Sequence, residues 1–509
     1  MEKVEQSPNI LNWYPFTEEQ KILKIEEIEK FKDEEMTEKY DIIILLGTSP
    51  KQKLSQIITR LERILQPKGK FLIAVDNKFG IRFFAGNPEN VLNKKFESLI
   101  GYNNEKEKIE TYTKTSLENT LKNLGYNTRF YYPLPDYRIP NVIFSDKQLP
   151  EYNSVDKYNP YHTEKSDILI NEIDVLREIL KTDKGMFTFF ANSFLVEATK
   201  GDCDETYKYI SFNNLRKNKY QLITKIAEGY VEKQVVSENA NQHYQNIKNN
   251  IKILQDAGIE IVDYIEDGKI KSKYIEQKYL LNNVLTEKLE QGKIEEFYDI
   301  LDKYINLISI KTYKENDYEK TVFGKYEINI DNKEIIQNLN FMKNGLWDMT
   351  LKNCFLKDNK FLFFDQEWNE SNLPVEFILY RSIFYTISLR RFIHIDELFE
   401  KYNLTPYLEL FRQLDNKLQE KIRDNITWEI YSRDYRFNID ETKQEIINLN
   451  IRSDAQNAAN ENLRKENKEL RELNKQLQEK NEEYRKEIAQ LETQLEETII
   501  KKIKRKLKK

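Results

Sequence analysis

The chemistry this chain could do is concentrated in a short stretch past its middle. Asp348 is followed five residues later by Asn353, and then come an apolar run Cys354-Phe355-Leu356, a polar turn Lys357 to Lys360, a second apolar run Phe361 to Phe364, and Asp365. Phosphoryl transfer asks little covalent chemistry of a protein: a carboxylate to orient the acceptor hydroxyl, and oxygen ligands to hold Mg²⁺ against the phosphates. Two carboxylates and a carboxamide on either side of a β-hairpin have the right atoms for that. The Asp-x₄-Asn spacing also occurs at Asp136 and Asn141, but only the copy at Asp348 precedes a hairpin ending in Asp. The bland alternative is a turn with solvated carboxylates. His162, His243 and His394 are too widely separated to suggest a metal set or a Ser-His-Asp array.

The elements that would position these residues begin near Tyr207. YKYISF, YQLITKIA and Tyr230 to Val236 (YVEKQVV) read as short strands, with a turn containing Asn213, Asn214 and Lys217 to Lys219 inside the first hairpin. A helix from about Asn239 to Leu254 follows, then a strand from Lys273 to Leu280. Amphipathic helices are expected over Asn283 to Leu289 and Ile294 to Ile308, and Pro374 to Arg381 reads as a core helix. Three antiparallel strands with a lysine on the third, a helix, and the Asp348–Asn353–hairpin–Asp365 layout resemble the protein-kinase fold. That resemblance implies Asp348 as acceptor-orienting base, Asn353 and Asp365 as Mg²⁺ ligands, Lys233 as the anchor for nucleotide phosphates, and Glu238 as the helix acid paired with it. A solvated strand lysine is the plainer reading of Lys233 in so lysine-rich a chain. No glycine-rich phosphate loop is present, so phosphate cover would come from the Asn and Lys turn.

In the first two hundred residues, Tyr40 to Gly47 (YDIIILLG) reads as a strand buried on both faces. Leu54, Ile57, Ile58, Leu61 and Leu65 line one helical face, Pro67-Lys68-Gly69 stops that helix, and Phe71 to Val75 is a second buried strand. Strand, covering helix and strand in that order indicate a parallel sheet, and Asp76-Asn77-Lys78-Phe79-Gly80 sits at the C-terminal strand end where ligands of such sheets bind. Asn12-Trp13-Tyr14-Pro15-Phe16, YDIIILLG, RILQPKGKFLIAVDNKFGIRFFAG, FYYPLPDYRIP and FANSFLVEA together resemble class I S-adenosylmethionine-dependent methyltransferase domains of bacterial surface-polysaccharide loci. Phe130 to Pro140 and Phe190 to Ala198 would be the closing antiparallel strands. Lys21 to Ile25 fits a first strand, yet neither the glycine-rich turn nor the acidic ribose ligand follows it, and two strands with their helices are missing from the pattern. The expectation is a degenerate domain with weak or no S-adenosylmethionine binding and a structural role.

At the other end, Leu463, Leu470, Leu477, Tyr484 and Leu491 recur every seven residues, with Asn467, Asn474, Asn481, Ile488 and Leu495 at the alternate seam position. Such heptads predict a coiled coil, here a parallel homo-oligomer with dimer and trimer both open. Beyond it, Ile499, Ile500, Ile503 and Leu507 alternate with Lys501, Lys502, Lys504, Arg505, Lys506, Lys508 and Lys509, which suits an anionic membrane surface. The whole chain of 509 residues carries a net charge of only −5, so nucleic acid is not an expected partner. Two cysteines, Cys203 and Cys354, make no disulfide framework, and neither a leader nor a membrane span is apparent, so a cytoplasmic protein, peripheral on the inner face of the membrane, is expected.

The fold class predicted is multidomain α/β and α+β: a truncated Rossmann-like methyltransferase domain (1–201), a protein-kinase-like domain (205–450), a coiled coil (455–498) and a basic amphipathic tail (499–509). That order resembles bifunctional methyltransferase–kinase proteins that cap bacterial O-antigen chains. The resemblance implies ATP and Mg²⁺ as cofactors and a glycan or glycolipid acceptor presenting a sugar hydroxyl. Two other readings are a non-catalytic scaffold of a polysaccharide assembly complex and an active methyltransferase with an unusual cofactor site.

Overall fold

The computed structural model describes residues 10–32, 36–47, 52–102, 109–152, 155, 170–202, 207–424 and 439–506, with side chains described for 447–505 of the last segment. Cys203, His162, Leu507, Lys508 and Lys509 lie outside the described residues. The chain divides into two compact units, Met1–Arg433 and Asp434–Lys509. The first is a mixed α/β structure built on one sheet of eleven strands.

The amino-terminal strands are β1 (Ile22–Ile25), β2 (Tyr40–Leu46), β3 (Leu65–Asp76), β4 (Asn127–Leu134), β5 (Val142–Ser145) and β6 (Ser193–Thr199). They lie in the order β1-β2-β3-β6-β4-β5. β1, β2 and β3 are parallel, β6 runs antiparallel to β3, and β4 runs antiparallel to β6 and hence parallel to β3. The five consecutive apolar residues of β2 are explained by cover on both faces. Ile43 and Leu45 pack with Ile57, Ile58 and Leu61 of helix α1 (Leu54–Leu61), while Ile42 and Ile44 pack with Trp13, Tyr14 and Tyr131 on the opposite face. The expected helix stop at Pro67 comes earlier: α1 ends at Leu61, a short 3₁₀ turn follows, and β3 already starts at Leu65, taking Pro67 and Gly69 into the strand. An irregularity in the β2–β3 register, where Tyr40 pairs with Leu65 and Ile42 with Lys70, absorbs the extra residues around Pro67. Helices α2 (Lys114–Asn123) and α3 (Glu172–Thr182) bury Leu117, Leu121, Ile173, Leu176 and Leu180 against the same core as α1.

The sheet does not stop at the border drawn between residues 201 and 205. β7 (Tyr209–Phe212) pairs with β5, and β8 (Leu222–Ile226), β9 (Tyr230–Val235), β10 (Asp263–Glu266) and β11 (Lys269–Lys273) continue it in the order β7-β8-β9-β11-β10, all antiparallel. The two halves also share a core: Ile10, Leu11, Trp13 and Tyr14 pack with Ile210, Phe212 and Ile223. They therefore form one compact unit. Helix α4 (Asn241–Asp256) follows β9 and packs Tyr244, Ile247 and Ile251 against Leu222 and Ile270. The strand expected over Lys273 to Leu280 ends where it was expected to begin, at Lys273, and a 3₁₀ turn over Gln277–Tyr279 replaces it.

The largest core belongs to the helical region that follows. It gathers α5 (Leu281–Glu290), α6 (Ile294–Ile308), α7 (Val375–Phe384) and α8 (Leu408–Ile422) around the hairpin β12 (Cys354–Lys357) and β13 (Lys360–Phe363). In the second unit a single helix, α9 (Ile439–Lys506), carries the heptad positions. Leu463, Leu470, Leu477, Tyr484, Ile488, Leu491 and Leu495 are each at least half exposed along it. Among the described residues no helix is long and apolar enough to cross a membrane.

Candidate functional site

The structure brings Asp348, Asn353 and Asp365 together. Gly345, three residues before Asp348, can only be glycine: an added Cβ would lie 2.3 Å from the Leu373 Cβ and 3.0 Å from the Glu370 carbonyl. That close approach fixes the segment entering Asp348. Asn353 Nδ2 and Gln366 Nε2 each donate to the Asp348 carbonyl at 3.1 Å, and the Phe364 N–H donates to the Asn353 carbonyl at 3.0 Å. The Asp348 loop is thereby laced to the end of the hairpin. Asp365 adopts a left-handed backbone with φ of 59°, a conformation costly for a non-glycine residue and found where the surrounding structure imposes it. Its N–H donates to Asp263 Oδ2 at 2.8 Å, so β10 contributes to holding it.

Lys233, on β9, sends its ammonium to both Asp365 and Glu367. The predicted pairing with a helix acid is different in the structure. Glu238 is exposed on a 3₁₀ turn ahead of α4, whereas the partner of Lys233 beside Asp365 is Glu367. Helix α4 instead turns His243 inward, where its ring stacks on Trp368 at 4.4 Å and Nε2 lies 3.4 Å from Glu367. His243 is thus a packed side chain in contact with the site, while His394 stands exposed ahead of the helix Ile395–Lys401. Arg216, from the turn between β7 and β8, completes the arrangement with an ion pair to Glu367.

These contacts set the charge states. Burial pushes the Asp348 carboxyl up to about 7; Glu367 and Asp365 push the same way, against Arg381 and Arg216. Burial likewise lifts Asp263 to about 6 and raises Asp365, which Lys233 partly offsets. Burial alone would raise Glu367 too, but Arg216, Lys233 and His243 surround it and hold it well below the ordinary carboxylate range. Behind Asp348, Arg381 is buried, pairs with Asp415 and stacks on Trp347 at 4.4 Å, which keeps a positive charge beneath the loop.

Sequence reasoning missed Glu367, Arg216, Asp263 and Arg381. Glu367 stands only two positions after Asp365, near enough in the chain to be weighed with it. Arg216 was one cation in a cation-rich turn, and nothing local marked it out. Among the described residues no group of three or more His, Cys, Asp or Glu side chains is disposed to hold a metal ion. The oxygen donors at hand are Asp365 and the Asn353 carboxamide, which suits Mg²⁺, an ion that binds through one or two carboxylates plus substrate phosphates.

The C-terminal end of β3 is built differently. Asp76 pairs with Arg82 at 3.0 Å and Arg138 at 2.7 Å, and Asp136 pairs with the same two arginines at 3.4 and 2.7 Å. Asn77 donates to the carbonyls of Phe189 and Ala191, and Asn192 to the Pro135 carbonyl and the Glu172 carboxylate, so the loop after β3 is bound into the fold. The second Asp-x₄-Asn copy falls here: Asp136 belongs to the ion cluster, and Asn141 Oδ1 accepts from Asn214 Nδ2 at 2.9 Å. Comparison with known proteins finds no family model and no curated protein that matches the sequence.

Proposed function

We propose that this protein is an ATP- and Mg²⁺-dependent phosphotransferase acting on a hydroxyl of a glycan or glycolipid in bacterial surface-polysaccharide synthesis. The observation that carries the reading is the meeting of Asp348, Asn353 and Asp365 at one place, with Lys233 of β9 reaching Asp365. The strand order β7-β8-β9-β11-β10 with α4 between β9 and β10, followed by helices and a hairpin, supports it as the arrangement of a protein-kinase-like fold. Asp348, with a carboxyl lifted to about 7, is suited to take a proton from an acceptor hydroxyl near neutral pH. Lys233 would neutralise nucleotide phosphates, and Asp365 with Asn353 would hold Mg²⁺, whose charge offsets that of the phosphates during transfer. The Arg381–Asp415 pair keeps the Asp348 loop in place from behind.

The first two hundred residues we read as a degenerate methyltransferase-like part with a structural role. The order β1-β2-β3-β6-β4, with β1 at the sheet edge, supports a parallel sheet from which two strands have been lost. The closed ion cluster after β3 supports a structural role for the place where a cofactor would approach. The exposed heptad seam of α9 supports self-association as a coiled coil, and the alternation of Ile499, Ile500 and Ile503 with basic residues supports contact with an anionic membrane surface from the cytoplasm. The test is a thermal-shift and calorimetric titration of the full chain with Mg²⁺ and ATP. Stabilisation and measurable heat are expected, both lost in Asp365→Ala; an unchanged wild-type transition would leave the scaffold reading in its place.

A further inference from the structure

The turn between β7 and β8 spans Asn213 to Gln221 and has no glycine. Its lysines, which the sequence offers as phosphate cover, point elsewhere: Lys217 Nζ donates to the Glu420 carbonyl at 2.8 Å, and Lys219 lies over the Tyr220 ring. The residue that reaches inward is Arg216. Its guanidinium pairs with Glu367 and lies over the Trp368 ring at 5.4 Å, while about a quarter of the side chain stays open to solvent.

The backbone around Arg216 is fixed from three directions. The Lys217 N–H donates to the Ile422 carbonyl at 2.9 Å, and the Asp424 N–H donates to the Leu215 carbonyl at 3.1 Å, so the turn is strapped to the end of α8. Gln221 Nε2 donates to the Arg216 carbonyl at 2.8 Å. Asn214 Nδ2 donates to the Pro140 carbonyl at 2.8 Å, tying the turn to the segment that leads into β5. A flexible glycine loop could close over phosphates by moving; a turn held this way must present a side chain. Arginine is suited to that task because its planar fork stays charged and offers paired donors matching phosphate oxygens.

We infer that Arg216 is a phosphate-binding residue of the nucleotide site, and that its ion pair with Glu367 is the contact a nucleotide phosphate replaces. The inference rests on the phosphotransferase reading and names the group that does the work of the missing glycine loop. In the resting arrangement Arg216 and Lys233 are matched by Asp365 and Glu367, so the four charges cancel in pairs. Phosphates entering with their cation would exchange partners with this set, the cation meeting Asp365 and the phosphates meeting Arg216 and Lys233, so that each of these groups trades one charged contact for another.

The experiment is calorimetric titration of the full chain with Mg²⁺ and ATP, comparing wild type, Arg216→Gln, Arg216→Lys and Lys219→Gln, each with its thermal midpoint. Arg216→Gln is expected to weaken ATP binding at least tenfold, Arg216→Lys to recover part of the loss because it keeps the charge without the paired donors, and Lys219→Gln to stay within twofold of wild type. Equal affinity of wild type and Arg216→Gln overturns the inference. So does an equal loss in the Lys and Gln variants with a lowered midpoint in both, which would make Arg216 a support of the turn alone. A wild-type chain that binds no ATP at all removes the phosphotransferase reading itself, and that result is distinct from a change confined to the variants.

Discussion

Two buried charge clusters sit on this one sheet, and they are opposites. After β3, Asp76, Asp136, Arg82 and Arg138 satisfy one another, and the two arginines hold Asp76 well below the ordinary carboxylate range although burial opposes them. Around Asp365, the pairing of Lys233 and Arg216 with Asp365 and Glu367 leaves Asp348 outside it, lifted to about 7, and Asp263 at about 6. A closed cluster, in which each carboxylate already has two cations beside it, resists change. An open one keeps a carboxyl poised near neutrality, which is the condition proton transfer needs and stability does not.

The sharpest way to break this comparison is to remove one carboxylate from the open cluster. Asp348→Asn and Asp365→Asn should each lower phosphotransfer by a factor on the order of 10² to 10⁴, the usual size of a general-base or charge-stabilising contribution, without unfolding the chain. The measurement is nucleotide turnover beside a circular-dichroism melt. Wild-type turnover in Asp348→Asn would remove the base from the proposal. In the closed cluster the effect should fall on stability instead. Arg82→Met leaves Asp76 and Asp136 with half their partners in a buried setting, a change that typically costs about 3–5 kcal/mol. Denaturant unfolding should show that loss while ATP affinity in the surviving folded fraction stays at the wild-type value.

A smaller effect separates the clusters by pH. The Asp348 carboxyl is raised in the folded state to about 7. As pH rises from the unfolded carboxylate value of about 4, the unfolded chain therefore releases its proton first, so this group's contribution lowers stability progressively up to pH ~7. Asp348→Asn should consequently raise the thermal midpoint at pH 8 by a few degrees and change it little at pH 4. A midpoint gain independent of pH would mean that burial of the charged form is not the cause. On the phosphotransferase proposal, turnover should rise with pH through the same region, because Asp348 would act as a base only when deprotonated.

Much of this was legible before any coordinates. YDIIILLG had to be a strand covered on both faces, because five apolar residues in a row leave no solvent side, and both covers are present in α1 and in Trp13 with Tyr14. The hairpin between Asn353 and Asp365 could be read because it is a local feature with two apolar runs and a polar turn. What could not be read is everything that depends on distant chain segments meeting. β5 pairing with β7, Asn214 reaching Pro140, and Arg216 reaching Glu367 join residues roughly seventy to one hundred and fifty positions apart, and no periodicity encodes such meetings. The border at residue 201 fell where the pattern changes to short strands, and hydrogen bonding carries the sheet across it.

The smallest expected effect concerns Glu238, which the pattern of a strand lysine and helix acid pairs with Lys233 and which the structure leaves apart from it. Glu238 is exposed at the helix entrance, and the carboxylate that meets Lys233 beside Asp365 is Glu367, which is buried and ringed by Lys233, Arg216 and His243. Glu238→Ala should therefore leave ATP affinity within about twofold of wild type and stability within about 0.5 kcal/mol, as for most exposed substitutions. Glu367→Ala should do the opposite, since it strips Lys233 and Arg216 of a shared carboxylate partner in a buried place. Parallel titrations of the two variants decide which carboxylate positions the lysine. If Glu238→Ala proved the more damaging, the turn before α4 would have to close onto Lys233 when nucleotide binds, and the pairing of Lys233 with Glu367 would belong to the nucleotide-free chain alone.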